Sequence, residues 1–372
     1  MNMMKTTALA TISTLAATAA YADCGIASGN VNILGNDFAA IQMIIAGATE
    51  CASDTVNVEA NLTTEHRDLQ VAALTANPAQ YTSAIVANSS IVPLLNEDLI
   101  RPLDDLVAKH GQGLNRTQLI TIDGKVMAIA FMANAQHLYY RSDILEAAGI
   151  EPPTTYEEVI AAGQKLEADG VMQNPFVTNT ATGWNLGEEF VNMYLGHGGE
   201  FFEPGTANVS INNPTGVAAL ETMKALTELS NPDFLTFDSN ASAAIWEAGD
   251  AALGFMWGSR AAPILDDEGS SEDVTSTTVL AAAPTVAGGD RPASTLWWDG
   301  FTISKNISDE DAEATFVALM NGLTEERIAA NNDIAVWLAP GYTPGDTAAG
   351  VFATASAGTA PYPMIPFMGL LH

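Results

Sequence analysis

Short alternating apolar runs give way to stretches of helical spacing, and the pattern repeats along most of the chain. Val31–Leu34 reads as a strand and Phe38 to Ala48 as a helix. Val56–Val58 alternates, Glu65 to Leu74 returns to helical spacing, and Ser83 to Ala87 is a compact apolar strand. Asn88-Ser89-Ser90 follows it as a helix cap. Further strands are predicted at 124–131, 138–140, 251–256, 279–283 and 296–303. Thr154 and Thr155 with Glu157 and Glu158 form overlapping capping boxes. Behind them Tyr156, Val159, Ile160, Gly163 and Leu166 share one helical face. Pro214 after Asn213 starts a helix carrying Val217, Leu220, Met223 and Leu226, and Ser308 caps another at 309–323. Polar stretches at 266–275 and 287–291 read as exposed loops. The β-α-β-α order predicts an α/β fold, with helices on the faces of mostly parallel sheets.

Composition narrows the possibilities. Thirteen Lys plus Arg stand against 44 Asp plus Glu, a formal net charge of −31 over 372 residues. Such a surface repels nucleic acid and anionic lipid, which removes both as partners. Residues 1–22 have the form of a cleaved export signal: Lys5, an uncharged stretch from Thr6 to Ala20, then Ala20-Tyr21-Ala22. Asp23 before Cys24 speaks against a lipid anchor. No other run is long and apolar enough to span a membrane. The remaining length exceeds one comfortable core, so two lobes are expected. Cys24 and Cys51 are the only cysteines. After export they are expected to pair, two buried thiols being the alternative. Neither has metal-ligand spacing to another Cys or His, so no metal site is expected. Met364–Leu371 is almost wholly apolar, and a further helical segment is expected beyond it.

Chemistry-bearing motifs are missing from this sequence. It has no phosphate-binding glycine loop, no dinucleotide fingerprint, no zinc-protease pair and no nucleophile elbow. No cofactor is expected, and the weight falls on binding rather than catalysis.

Several segments, in order, resemble the family of extracellular solute-binding proteins that includes maltose-binding protein. Residues 138–158, LYYRSDILEAAGIEPPTTYEE, match its most recognisable run. IRPLD at 100–104, DGK at 123–125 with AIAF at 128–131, and WEAGDAALG at 246–254 resemble further pieces. The family often has Pro where Ala130 stands. The resemblance implies two α/β lobes joined by a hinge that includes Ala130–Asn134. It places 23–131 with a return segment at 297–330 in one lobe, and 132–296 with 331–372 in the other. It also implies a bacterial periplasmic monomer, without enzymatic activity, that delivers a small solute to the permease of an ATP-binding-cassette (ABC) importer. Because the family continues further with helices, this chain is expected to lack its C-terminal end.

In open α/β sheets, ligands bind beyond the carboxyl ends of the strands. That rule selects Asp37, Asn88, Asn134, His137, Trp257, Arg260, Trp297, Trp298 and Asp299. Trp184 and Glu188, after the polar stretch 180–183, join them. Aromatic rings cover the C–H face of a sugar, while carboxylates and amides take its hydroxyls. Bland alternatives exist for all but Asn134: core packing for the tryptophans, helix capping for Asp37 and Asn88, and a turn for Asp299. His137 could be structural, Glu188 part of a solvated helix face, and Arg260 half of an ion pair. The expected ligand is a sugar, oligosaccharide or polyol. A receptor for an anionic or zwitterionic nutrient, read by Arg260, is one alternative. A secreted carbohydrate hydrolase is the other.

Overall fold

The computed structural model describes residues 24–265, 269–331 and 360–361. The expected export signal and the apolar C-terminal run lie outside the described residues. In the first lobe, β1 (Gly29–Gly35), α1 (Ala39–Thr49), β2 (Val56–Leu62), α2 (His66–Thr75) and β3 (Ser83–Ala87) follow in order. Next come α3 (Ile91–Asn96), α4 (Asp104–His110), β4 (Leu119–Ile122) and β5 (Lys125–Asn134). One residue, Ala135, separates β5 from β6 (Gln136–Arg141), where the second lobe begins.

The second lobe continues with α5 (Ser142–Ala147), α6 (Tyr156–Ala168), β7 (Phe176–Thr178), α7 (Trp184–Gly196) and α8 (Pro214–Thr227). Then come α9 (Ser239–Glu247), β8 (Leu253–Trp257), α10 (Ala261–Leu265), α11 (Glu272–Thr277) and β9 (Thr278–Ala281). The chain returns to the first lobe through β10 (Thr295–Phe301), α12 (Asp309–Gly322) and α13 (Glu325–Ala330), and Ala360–Pro361 pairs with β10 as β11.

The first sheet runs β2-β1-β3-β10-β5-β4. β1 is parallel to β2 and β3, whereas β10 is antiparallel to both β3 and β5. The second sheet runs β7-β8-β6-β9. Each sheet has its own cores. Val31, Ile33, Ile85 and Phe131 pack with Phe316 and Leu319 of α12, which holds this returning helix on the first lobe. Burying each such side chain contributes roughly 1.5–3 kcal/mol. Tyr156, Val159, Phe176, Tyr194 and Phe255 form the heart of the second lobe. A third small cluster, Ala87, Trp257 and Trp297, draws from both lobes.

Local signals account for the helix starts. Thr155 and Glu158 make one reciprocal capping box, and Asn213 and Ser308 cap α8 and α12 through their side chains. Three expectations need correction. The second box does not form: Thr154 also uses Glu158, while Glu157 accepts from the backbone of Ala287. Ser90 does not cap α3 through its side chain, because its hydroxyl accepts from Ala87 N instead. The stretch 266–275 is not all loop, since α11 begins at Glu272 behind a Ser271 cap. Among the described residues, no helix is long and apolar enough to cross a membrane.

Candidate functional site

The carboxyl ends of β1, β3 and β8 face the junction of the lobes, where β5 and β10 cross between them. Side chains on β10 alternate between faces. Thr295, Trp297 and Asp299 share one face, and Trp298 takes the other, packing against the Ala73–Leu94 core. Trp297 is the centre of the junction. Its ring lies 5.4 Å from Trp257, edge-on, and 5.9 Å from Trp184, tilted. Trp184 is the first residue of α7 and remains 41 % exposed. Gly183 before it has φ +111°, a conformation that side-chain-bearing residues rarely adopt, and this turn starts the helix at the cleft.

Two guanidinium groups lie at the junction, one of them over this ring cluster. Arg67, in the first turn of α2, lies 4.6 Å from the ring centre of Trp184 and 5.5 Å from that of Trp297. Ser89, after β3, accepts a hydrogen bond of 2.8 Å from its Nη1. Arg67 belongs to the first lobe and Trp184 to the second, so this contact spans the cleft. Arg260, in the turn after β8, lies 5.6 Å from the ring centre of Phe38 in the first lobe. Its Nε is buried and has no hydrogen-bond partner among the described residues.

Asp299 sits between these groups. Burial pushes its carboxyl up to about 7, opposed by the Arg67 charge, a hydrogen bond with Trp297 and the Arg260 charge. Burial also lowers the pKa of Arg260, opposed by Tyr139, Asp238 and Asp299. Asn88 is buried nearby on β3's end, where its Nδ2 donates to Leu296 O at 3.5 Å and its Oδ1 has no partner among the described residues. The site thus offers aromatic walls from both lobes, a carboxyl, an amide and two guanidinium groups. A polar groove at the opposite, amino-terminal end of β1 and β2, lined by Ser28, Asn30, Asp54 and Asp311, contains no aromatic ring.

Residues 34–322 match the family described as bacterial extracellular solute-binding protein. The chain belongs to that family. Among curated relatives, a probable ABC transporter-binding protein of Deinococcus radiodurans is 26% identical over 277 residues, covering 68% of this chain and 63% of its own length. The sn-glycerol-3-phosphate-binding periplasmic protein UgpB of Agrobacterium fabrum is 28% identical over 102 residues, 24% of this chain and 23% of that protein. The chain therefore spans less than two thirds of the length of the curated relatives it matches. Among solved structures, maltose-bound MalE3 of T. maritima superposes with a TM-score of 0.77 at 19% identity, covering 91% of this chain and 90% of that one. A solute-binding protein of Agrobacterium radiobacter in complex with ribitol gives 0.72 at 20% identity, covering 82% and 79%. These likenesses establish the two-lobed α/β fold of the solute-binding family.

Of the residues singled out by sequence, the fold of this solute-binding protein brings together Trp184, Trp257, Trp297, Asp299, Arg260 and Asn88. It does not bring in Trp298. Asp37 is exposed and accepts a 2.8 Å hydrogen bond from Gln42, while Phe38 beside it stacks on Arg260. Asn134 is occupied with Ser259: its Nδ2 donates at 2.9 Å and its Oδ1 accepts from Ser259 N at 3.2 Å. His137 is fully buried within β6. Glu188 is not on a solvated face; it is 3 % exposed and accepts from Thr295 at 2.7 Å. Arg67, Phe38 and Ser259 were missed as site residues. Arg67 had a legible signal, being one of few cations and lying just past the second parallel strand.

Proposed function

We propose that this chain binds a small polyhydroxylated solute, a sugar or polyol, between its lobes and delivers it to the permease of an ABC importer. The observation that carries this reading is the bridge of Arg67 over Trp184 and Trp297, which joins aromatic surface from both lobes beside a half-buried carboxyl. Rings bury the C–H face of a sugar, and Asp299, Asn88 and the guanidinium groups take its hydroxyls. Hydrogen bonds to charged groups contribute roughly 1.5–3 kcal/mol each. Groups from both lobes meet at this site, so a solute held by both favours the shut arrangement over the open one. The hinge is at the crossings near Ala135 and Ser294. The chain acts as a periplasmic monomer and performs no chemical step on its ligand.

The test is calorimetry with maltose, ribitol, D-mannitol and sn-glycerol 3-phosphate on the exported protein. Saturable binding of a neutral polyol, with small-angle scattering showing compaction and no product formed, supports the reading. Turnover of an oligosaccharide, or saturation without compaction, contradicts it.

A second reading, a receptor for an anionic solute, is favoured by the unpartnered buried Nε of Arg260 and by the match to a glycerol-phosphate-binding relative. Arg260→Ala is expected to abolish binding of an anion but only to weaken binding of a neutral polyol.

A further inference from the structure

Behind the ring cluster, five buried polar side chains tie both crossings between the lobes to one helix. Gln136 opens β6 just after the first crossing, and Thr295 opens β10 just after the second. Glu188, Glu189 and Asn192 lie on the buried side of α7. The Thr295 hydroxyl lies 2.7 Å from Glu188 Oε1 and 2.9 Å from Asn192 Oδ1. Asn192 Nδ2 lies 3.0 Å from Gln136 Oε1, and Gln136 Nε2 lies 2.9 Å from Glu189 Oε1. The contacts run in series: Glu188, Thr295, Asn192, Gln136, Glu189.

Each contact needs one hydrogen. Thr295 supplies one. Asn192 and Gln136 each turn their amide nitrogen to one neighbour and their oxygen to the other, so each supplies one more. Three hydrogens therefore serve four contacts. Turning an amide over moves the deficit along the line without removing it. The fourth hydrogen has to come from a carboxyl group at one end. We infer that Glu188 and Glu189 hold one proton in common through this line, and that the shared proton fastens both crossings to α7.

Burial of the pair agrees with this. Glu189 is pushed up to about 8, chiefly by burial, against the hydrogen bond from Gln136 and with the neighbouring Glu188 adding to the rise. Asn179, just after β7, also donates to it at 3.5 Å, whereas the Thr178 hydroxyl gives its hydrogen to Phe255 O, and none of the groups that act most on Glu189 is a cation. Tyr156, on α6, faces it and stays neutral. His137 is buried at the next position on β6. Two ionised carboxylates here would leave one contact without a hydrogen and two like charges buried together.

The consequence concerns movement. With Gln136 and Thr295 held on α7, rotation of the lobes pivots on the first-lobe side of the crossings, at Asn134–Ala135 and between Thr295 and Trp297. The five side chains are positioning residues for Trp184, the first residue of α7. That role rests on the binding reading above; the shared proton does not.

Infrared spectroscopy of the full chain at about pH 7, read as wild type minus variant, tests the proton directly. In Glu188→Gln the new amide supplies the missing hydrogen, Glu189 ionises and the protonated-carboxyl band is lost. In Glu189→Gln the two amides turn over, Glu188 ionises and the same band is lost. Loss in both single variants is the expected result. Loss in only one shows a proton private to that residue and overturns the inference, as does a wild type without the band. Should neither variant fold, the pair is titrated in Asp299→Asn: two protonated-carboxyl bands vanishing together above neutral pH, with one proton lost per chain, is expected, and a single band or none is the contrary result. Failure of solute binding leaves these readouts untouched, so the two proposals stand or fall separately.

Discussion

The Arg67 guanidinium of the first lobe lies over the Trp184 ring of the second, 4.6 Å from its centre. A cation held over an indole in a partly desolvated site contributes roughly 0.5–2 kcal/mol. Because this contact exists only when the lobes meet, it favours the shut arrangement rather than either lobe's own stability. Arg67→Ala is therefore expected to weaken solute binding by about 2- to 30-fold while leaving thermal stability nearly unchanged. Calorimetry paired with a melting curve checks both halves, and unchanged affinity would remove Arg67 from the site.

Gly300 follows Asp299 at the irregularity in the β10–β5 pairing. A Cβ built there would lie 2.6 Å from the carbonyl oxygen of Ile129, which belongs to the neighbouring strand. Backbone within a paired strand cannot withdraw as a flexible side chain can. Gly300→Ala is expected to destabilise the protein by about 1–3 kcal/mol, the usual penalty for overpacking. Since the strain falls next to Asp299, affinity is expected to drop as well. Denaturant unfolding gives the first quantity and calorimetry the second; a neutral result in both would mean that β10 shifts freely at this point.

Much of the fold was legible because it depends on near neighbours in sequence. The Thr155–Glu158 box, the Asn213-Pro214 start and the Ser308 cap need only three or four consecutive residues. The strands showed as short apolar runs. Half of the site was legible for the same reason, since strand alternation alone separates Trp297 from Trp298. The other half was not. Glu188 reads as a ligand contact or as part of a solvated helix face, and only Thr295, 107 residues later, makes it a buried group. Asp37 and Asn88 looked like caps or ligands, yet Phe38 rather than Asp37 reaches the cleft, because the turn into α1 decides which side chain faces inward. Val217 and Leu220 sit on α8 in helical register but are more than half exposed, so periodicity alone did not identify that helix's buried side.

Cys24 and Cys51 are joined by a disulfide with Cα atoms 5.5 Å apart, across 27 residues. The bridge ties the chain ahead of β1 to the loop after α1. On the chain-entropy account, a closed loop of this length stabilises by about 3–4 kcal/mol. The double variant Cys24→Ser/Cys51→Ser is expected to lose roughly that amount in denaturant unfolding. The bond lies far from the aromatic cluster, so solute affinity in the folded variant is expected to remain unchanged. A lost affinity at full stability would contradict that separation.

Asp299 ties a pH dependence to the binding site. Its carboxyl is raised from 3.8 to about 7, chiefly by burial. For an acid raised in the folded state, the stability it confers is complete below the unfolded value and is lost as pH rises through the folded one. The wild type is therefore expected to lose stability between about pH 4 and 7 through this group, on top of the loss from Glu189 up to about pH 8, and Asp299→Asn is expected to show a shallower slope that keeps only the second part. Binding runs the other way. A solute that donates hydroxyl hydrogens to this group favours the carboxylate, so it lowers the pKa and expels a proton. Affinity for a polyol is expected to rise with pH up to about 7 and then level off. Calorimetry in buffers of different ionisation enthalpy measures the proton released. Proton uptake on binding, or a pH profile that Asp299→Asn leaves intact, would show that the solute does not meet this carboxyl.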